Sequence, residues 1–377
     1  MPMSRPPARW SKNCGPSGAM AAIARRRSTD FAARMESRIP VSLLTGFLGS
    51  GKTTLINALV RRSGWADTAV IVNELGEIGL DHLLIESSDD NIVLLDSGCL
   101  CCALQSGLKE TLADLFVRRV KGTVPRFARV IVETTGIADP GPIANSLVAD
   151  VLLKVEFRLA TIATTVDAKH GEHAIDTEPE ALRQIALADV LLVTKTDLAE
   201  RTEVERLDAR LANVNPLALR VTANKGAIAP DLLFAPGASL FSEKGGEHGL
   251  WTSGRYTLLG SDHQNGVKSA SMVLDGPTTW AGLAAWTSLI SSQFDDTLLR
   301  VKGIVEIIDV GYHGPVAIHG IGRYFHPPER LVRWPSDDHR SRLVCIGRKL
   351  DQPTLIKTLR AFALPAGVPQ PLSLADL

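Results

Sequence analysis

The sequence has few cysteines, no excess of charge of either sign and no long apolar run. Five cysteines in 377 residues exclude a small disulfide scaffold. The 41 Lys and Arg residues balance the 41 Asp and Glu residues, which argues against a nucleic-acid coat, a disordered tail protein or an acidic chaperone. No run approaches the about 18–20 apolar residues of a membrane span, and no secretory signal is recognised. We therefore expect a soluble, cytoplasmic protein without nucleic-acid or membrane partners.

Acidic residues are also absent from the beginning of the chain. Between Met1 and Thr29 there are six basic residues and no acidic ones, a composition that predicts disorder. We expect a disordered extension over residues 1–38 and a translation start at Met35, which lies five residues before the first predicted strand. A genuine N-terminal tail and an organellar transit peptide are the alternatives.

The length of the chain exceeds that of one ordinary domain. Single domains cluster near about 100–150 residues, so 377 residues predict about two. After residue 236 the composition shifts toward Gly, Ser, His and Lys, which is typical of a linker. We therefore predict a first domain at residues 39–236, a linker at 237–270 and a second domain at 271–377.

Apolar runs bounded by turn residues alternate with helical segments through the first domain. The predicted strands are residues 40–44, 69–73, 91–95, 129–133, 159–166, 190–194 and 217–221. The predicted helices are residues 52–62, 105–119, 142–152, 178–188 and 203–213. This rhythm predicts a mostly parallel sheet with helices on both faces.

The second domain has a different order of elements. We predict a strand from Ser271, a helix at 279–293, strands at 299–309, 316–320 and 342–346, and a closing helix at 352–363. Strands and helices segregated in this way indicate a smaller α+β domain.

Residues 46–53 read GFLGSGKT and match the phosphate-loop pattern G-x-x-x-x-G-K-[ST]. The motif follows an apolar strand and precedes a helical run, as a phosphate loop requires. Glycines let the loop wrap closely around phosphates, its N–H groups offer positive charge, and Lys52 reaches the β- and γ-phosphates. The predicted nucleotide-binding residues here are Gly46, Gly49, Ser50, Gly51, Lys52, Thr53 and Thr54. The expected fold class is therefore α/β, a phosphate-loop NTPase domain plus the α+β C-terminal domain.

A magnesium ion at a phosphate loop needs an acidic group beside the Thr53 hydroxyl. Glu133 ends the apolar run at 129–133, so we predict that Thr53 and Glu133 hold Mg²⁺. The turn after Glu133 contains Gly136, whose main chain we expect to approach the γ-phosphate and report its presence. The predicted catalytic residues are Lys52, Thr53, Glu133 and Gly136.

The choice of base is read from residues 194–197, whose sequence TKTD differs at one position from the guanine-reading element N-K-x-D. Asp197 can accept two hydrogen bonds from guanine that adenine cannot offer, while the stem of Lys195 packs over the ring. Thr194 keeps a hydroxyl but lacks the amide of Asn, which predicts weaker affinity with preserved discrimination. We predict GTP, with ATP as the alternative.

Three of the five cysteines are crowded into the C-x-C-C segment formed by Cys99, Cys101 and Cys102. One short loop of three thiolates cannot close a tetrahedral site alone. An open position favours metal exchange, and soft sulfur selects zinc or copper(I) over magnesium. Glu77 is our candidate for the fourth zinc ligand. A redox pair, or cysteines without function, are the alternatives.

Taken together, the segments 46–53, 73–77, 98–102, 133–140 and 194–197 resemble the CobW-type metal-chaperone GTPases. Residues 299–303 and 341–348 are similar to that family's C-terminal domain. The resemblance implies a GTPase that binds zinc or cobalt at the C-x-C-C site and couples GTP hydrolysis to metal delivery to an apo-metalloprotein client. It also supports Met35 as the start, and the family's name records a link to cobalamin biosynthesis. The histidine-rich linker of many members is here reduced to His248 and His263.

Two further function classes remain open on the sequence alone. A nucleotide-gated zinc sensor would bind partners without productive turnover, and a small-molecule kinase would use the same phosphate loop. No arginine finger or water-positioning Gln is identifiable, so we expect slow turnover that a client raises. We also expect the metal affinity to differ between the GTP and GDP states, and a nucleotide- or metal-dependent homodimer.

Overall fold

The computed structural model describes residues 38–65, 67–72, 93–96, 104–224, 228–234, 266–274, 276–295 and 297–363. The extension before Arg38, Glu77, the three clustered cysteines and most of the predicted linker lie outside these ranges.

The first domain is built on a parallel sheet. In the described part of the chain its seven strands run in the order β3-β2-β4-β1-β5-β6-β7, and every pairing is parallel. The strands are β1 (Ile39–Gly46), β2 (Thr68–Val72), β3 (Val93–Asp96), β4 (Arg129–Glu133), β5 (Phe157–Asp167), β6 (Val190–Thr194) and β7 (Leu219–Thr222). Parallel strands bring their carboxyl ends to one edge, and that edge carries the candidate site.

Helices cover both faces of this sheet. They are α1 (Lys52–Val60), α2 (Leu104–Lys121), α3 (Pro140–Ala149), α4 (Leu153–Glu156), α5 (Gly171–Thr177), α6 (Pro179–Leu187), α7 (Arg201–Val214) and α8 (Asp231–Phe234). The alternation within β1 shows the two faces, because Leu43 packs into a core with Leu112 of α2, whereas Leu44 packs with Ile56 of α1. A strand buried on both faces is a nearly continuous apolar run, which is why it was recognisable in the sequence.

The second sheet is antiparallel. It consists of β8 (Val267–Leu274), β9 (Leu298–Asp309), β10 (Tyr312–Ile321), β11 (Tyr324–Phe325), β12 (Glu329–Arg330) and β13 (Ser341–Arg348). Helices α9 (Trp280–Gln293) and α10 (Gln352–Ala361) pack on one face, where Trp286 is fully buried.

The other face of the second sheet packs against the first domain. Val344 and Ile346 of β13 share a core with Leu207 and Leu211 of α7. Ile321, at the end of β10, belongs to the same core as Ala138 and as Ile143 and Leu147 of α3. The two sheets are therefore joined through shared apolar cores.

The predicted fold class is confirmed, and the predicted long strands and helices lie within a few residues of the observed ones. The strand predicted from Ser271 begins earlier, at Val267, inside the segment assigned to the linker. The domain boundaries otherwise stay a prediction. Short elements such as α4, α5 and α8 were not predicted, since four to seven residues show no clear periodicity. Within the described residues, no helix has the length and apolar character to cross a membrane.

Candidate functional site

The phosphate loop connects β1 to α1 at the carboxyl edge of the first sheet. Gly46 has φ 146°, and a Cβ on it would lie 2.2 Å from Thr165 Oγ1 and 2.5 Å from the Thr165 carbonyl oxygen. Gly49 and Gly51 also have positive φ values, 72° and 93°. Only glycine fits at position 46, because Thr165 of β5 lies too close to leave room for a Cβ.

The side chain of Lys52 folds back onto the phosphate loop. Its Nζ donates to the carbonyl oxygen of Gly46 at 2.7 Å and to that of Phe47 at 3.4 Å. The side chain is buried, and burial lowers the pKa of Lys52, although Glu133 nearby acts in the opposite direction. A buried ammonium held at the loop is suited to meet phosphate oxygens.

Thr53 and Glu133, the two predicted magnesium ligands, lie side by side. Thr53 Oγ1 donates to Glu133 Oε1 at 3.2 Å, although the residues are 80 positions apart in the chain. Glu133 is only 5% exposed and ends β4, which pairs with β1. A hydroxyl and a carboxylate are the oxygen donors that Mg²⁺ prefers, so this pair fits the ion.

Gly136 lies against the phosphate loop. A Cβ on Gly136 would come within 2.6 Å of Leu48 Cδ2 and 2.9 Å of the Leu48 nitrogen. The turn is closed by the Ala138 N–H, which donates to the Thr135 carbonyl oxygen at 3.1 Å. The main chain after Glu133 thus lies next to the loop, and its approach to a γ-phosphate stays a prediction.

Thr194 contacts the phosphate loop directly. Its Oγ1 donates to the Ser50 carbonyl oxygen at 2.7 Å and lies 3.2 Å from the Val166 carbonyl oxygen. Ser50 Oγ is in turn hydrogen bonded to Thr165 Oγ1 at 2.7 Å. Thr194 lacks the amide of the Asn in the N-K-x-D element, but its hydroxyl holds the phosphate loop.

Lys195 and Asp197 take different positions after β6. Lys195 has φ 54°, and its Nζ donates to the Gly49 carbonyl oxygen at 2.7 Å and to Asp167 Oδ2 at 2.8 Å. Burial would raise the pKa of Asp167, but the hydrogen bonds from Lys195 and from the Lys169 N–H lower it overall. Asp197 is exposed just after the end of β6.

A cavity of about 180 Å³ lies beside the loop, between the end of β5 and helices α5 and α6. Its walls include Leu48, Gly49, Asp167, Gln184 and Lys195. This cavity is smaller than the pockets of about 300 Å³ or more that usually hold larger ligands. It separates the loop from helix α6.

The predicted zinc ligands Cys99, Cys101, Cys102 and Glu77 lie outside the described residues. Among the residues that the structure describes, no group of three or more His, Cys, Asp or Glu side chains is arranged to hold a metal ion. Cys345 in β13 is buried, and burial raises the pKa of its thiol to about 12. Cys345 is therefore an unreactive core residue.

Sequence reasoning missed two residues of this edge. Asp167 could have been found by the signal that identified Glu133, since both are acidic residues that end an apolar strand. Gln184 carried no such signal, because a polar residue in an amphipathic helix usually faces solvent. Its side chain is instead completely buried.

Two family models match the chain. The model described as CobW/HypB/UreG, nucleotide-binding domain, matches residues 40–222. The model described as Cobalamin synthesis protein cobW C-terminal domain matches residues 267–363. The matches cover both sheets and the whole nucleotide edge from Gly46 to Asp197.

Similar proteins agree with these matches. The chain is 33% identical over 314 residues to the zinc chaperone YjiA of Escherichia coli K12, covering 83% of this chain and 95% of that protein. It is 33% identical over 197 residues to the zinc-regulated GTPase metalloprotein activator 1 of Schizosaccharomyces pombe, covering 50% of this chain and 47% of that one. The crystal structure of Zn(II)-bound YjiA GTPase from E. coli superposes with a TM-score of 0.65 at 28% identity, covering 87% of this chain and 99% of that chain. With the phosphate loop, the strand-end Glu133 and the 194–197 element at one sheet edge, the chain belongs to the CobW family of GTPases.

Proposed function

We propose that this GTPase is a metallochaperone that binds zinc through Cys99, Cys101 and Cys102 and couples GTP hydrolysis to insertion of the metal into a client protein. The observation that carries the proposal is a single sheet edge. Lys52, Thr53 and Glu133 lie there, and β3, which runs parallel to β2, ends there at Asp96. The C-x-C-C segment begins three residues after Asp96 in the sequence.

In the proposed nucleotide site, each described residue has a separate task. Lys52 neutralises charge on the β- and γ-phosphates, and Asp197 selects guanine over adenine. Thr53 and Glu133 would hold Mg²⁺, which neutralises negative charge on the phosphates when it is bound. Thr194 and Lys195 fix the loop by donating to the carbonyl oxygens of Ser50 and Gly49. The loop's N–H groups then keep the direction that phosphate binding needs.

In the proposed metal site, zinc is cargo rather than a resident cofactor. Three thiolates with Glu77 supply the softer ligand set that zinc prefers, and cobalt is the second metal we propose. The relatives support zinc, because YjiA is named a zinc chaperone and was crystallised with Zn(II). A client is supported by the name of the yeast relative, a metalloprotein activator.

The proposed coupling between nucleotide state and metal affinity rests on the carboxyl edge of the first sheet, which both sites would share. The segment with Glu77 follows β2, which pairs with β4 and its Glu133. The cysteine segment follows β3, which pairs with β2 on the side away from β4. Loss of the γ-phosphate then changes the surroundings of the metal ligands, and the two affinities are linked by the same factor in both directions. A homodimer whose formation depends on nucleotide or metal is part of the proposal.

The test is metal transfer with and without turnover. Phosphate release and zinc arrival in candidate apo-clients are measured together, with GTP and with a non-hydrolysable analogue. We expect zinc transfer with GTP, less with the analogue and none in a Cys99, Cys101 and Cys102 to Ser variant. Equal transfer with GTP and analogue would contradict the coupling, and zinc binding without any transfer would favour the nucleotide-gated sensor.

A further inference from the structure

Helix α6 carries a buried amide that contacts the turn after Glu133. Gln184 Nε2 donates to the Gly136 carbonyl oxygen at 3.1 Å and to the Ala138 carbonyl oxygen at 3.0 Å. The side chain is 0% exposed. Both N–H bonds of one amide are thus committed to the two ends of one short turn.

Gln184 is itself firmly held. The Thr164 hydroxyl of β5 donates to the main-chain carbonyl oxygen of Gln184 at 2.9 Å, which fixes the helix at this residue. The preceding residue, Arg183, donates to Asp139 Oδ2 at 2.7 Å, and Asp139 caps helix α3 by accepting from the Gly141 N–H. Helix α6 therefore contacts the turn and the start of α3 through two consecutive side chains, Arg183 and Gln184. The hydrogen bond from Thr164 connects the helix to β5.

The direction of these bonds matters for the nucleotide. In a trans peptide the C=O and the following N–H point in opposite directions. With the Gly136 C=O held toward Gln184, the N–H of Ile137 points away from α6. Without the amide, the peptide between Gly136 and Ile137 is free to turn its carbonyl oxygen outward. A carbonyl oxygen facing an anion repels it, whereas an N–H attracts it.

The turn lies against the phosphate loop at Gly136, where an added Cβ would come within 2.6 Å of Leu48 Cδ2. Diphosphate binding depends on the loop and on residues 194–197. The turn matters only when a γ-phosphate is present or is being lost, as expected for a switch segment.

We propose that Gln184 is a positioning residue for GTP hydrolysis, which holds the 136–138 turn beside the phosphate loop in the conformation that accepts a γ-phosphate. The inference deepens the proposed function and rests on its assignment of Gly136 to the γ-phosphate. Gln184 acts through the main chain of the turn and does not itself touch the nucleotide.

The matched control is a buried amide that holds the other end of α6 from outside that helix, since Asn215 directly follows α7. Asn215 Nδ2 donates to the carbonyl oxygens of Ile185, Ala186 and Ala188 at 2.8, 3.2 and 2.9 Å, and the residue is 1% exposed. Replacing Asn215 with Leu therefore removes a comparable set of buried hydrogen bonds at the far end of α6, away from the turn.

The experiment measures GDP affinity, affinity for a non-hydrolysable GTP analogue and GTP turnover for wild type, Gln184→Met, Gln184→Glu and Asn215→Leu. Gln184→Met should lower analogue affinity and turnover about tenfold each, while GDP affinity is unchanged. Gln184→Glu, which donates one hydrogen bond when protonated, should be intermediate. Asn215→Leu should keep the wild-type ratio of analogue to GDP affinity even where its thermal stability falls.

Two results would overturn the proposal. One is an unchanged ratio of analogue to GDP affinity in both Gln184 variants. The other is an equal change of that ratio in Asn215→Leu, which would make the effect one of stability. Failure of the wild-type protein to hydrolyse GTP would count against the proposed function instead, and the wild-type measurement identifies that case separately.

Discussion

The guanidinium of Arg300 in the second sheet donates to the carboxylate of Asp189 in the first domain. Both side chains are buried, and Lys302 Nζ donates to the same Oδ1 atom. Asp189 Oδ2 also accepts the Ile162 N–H at 2.8 Å, which ties the pair to β5. Burial would raise the pKa of Asp189, but Arg300 and Lys302 hold it well below its usual range. One carboxylate therefore compensates two buried cations at the interface.

The Asp189→Asn variant should be strongly destabilised. Removing the anion leaves two cations buried without compensation, which costs about 3–5 kcal/mol. Denaturant unfolding measures the loss. The control is Asp176→Asn, which breaks the exposed pair with Arg210 and should cost about 1 kcal/mol or less. Similar losses for the two variants would show that the buried cluster does not hold the interface.

The same cluster predicts acid sensitivity. Burial, together with Arg300 and Lys302, lowers the pKa of His319 well below the usual value, and burial and Arg300 lower that of His326 from 6.5 to about 4. As the pH falls below 6.5, the unfolded chain takes up protons at these rings and the folded chain does not, until about pH 4 for His326. The free energy of unfolding should therefore decrease across this window, by up to about 1.4 kcal/mol per pH unit for each ring.

Unfolding measured between pH 7 and pH 4 checks this dependence. A His319→Asn and His326→Gln double variant should show a shallower pH dependence than wild type, whatever its stability at pH 7. The exposed His173→Gln variant should follow the wild-type curve. An unchanged slope in the double variant would exclude the two buried rings as its source.

The Thr194→Val variant tests the role of the hydroxyl at the loop. Val keeps the shape but leaves the Ser50 carbonyl oxygen without its donor. We expect the affinity for GTP and GDP to fall together by about 1–2 kcal/mol, because the loop serves both nucleotides. Thr194→Ser, which retains the hydroxyl, should bind normally. Titration with fluorescent nucleotides measures these affinities. Wild-type affinity in the Val variant would contradict the role of the Thr194 hydroxyl in holding the loop.

The Asp197→Ala variant tests the base preference. Asp197 is exposed, so the substitution should leave the melting temperature unchanged. The preference for GTP over ATP should disappear, since the substitution removes the carboxylate that we propose to pair with guanine. Glu180→Ala, an exposed acidic residue on α6, serves as the control. Competition binding with the two nucleotides gives the result, and an unchanged preference would remove Asp197 from the site.

The Lys52→Met variant should separate stability from function. The lowered pKa of Lys52 means that burial penalises its charged form in the folded protein. We therefore expect the nucleotide-free variant to melt at or above the wild-type temperature while its GTP turnover falls about a hundredfold or more. Arg61→Met, an exposed residue that follows α1, should keep full turnover. Wild-type turnover in Lys52→Met would contradict the assigned role.

Much of the fold was readable from the sequence because β1, β4 and β6 are buried on both faces and appear as apolar runs. The loop motif, Glu133 and Asp197 were readable because each is tied to a strand end. The 3.2 Å distance between Thr53 Oγ1 and Glu133 Oε1 depends on the register in which β1 pairs with β4. A local sequence pattern does not contain the register of strands that are far apart in the chain.

The contacts of Gln184, Thr194 and Asp189 were not predicted, for a related reason. Each is a polar residue buried by elements far away in the sequence, and hydrophobic periodicity carries no information about such partners. Thr194 was judged by the amide it lacks, although its hydroxyl holds the loop. Asp189 looks like an ordinary residue before a strand until Arg300 and Lys302 are placed opposite it.

The zinc affinity of the whole chain in its two nucleotide states decides whether GTP hydrolysis is coupled to metal delivery. Competition with a chromogenic chelator measures zinc binding with bound GDP and with a bound non-hydrolysable GTP analogue, in wild type and in the variant with Cys99, Cys101 and Cys102 changed to Ser. We expect the zinc affinity of the wild type to differ between the two states by about fivefold or more, and zinc to change the ratio of the nucleotide affinities by the same factor. Equal zinc affinity in both states would contradict the coupling of GTP hydrolysis to metal delivery.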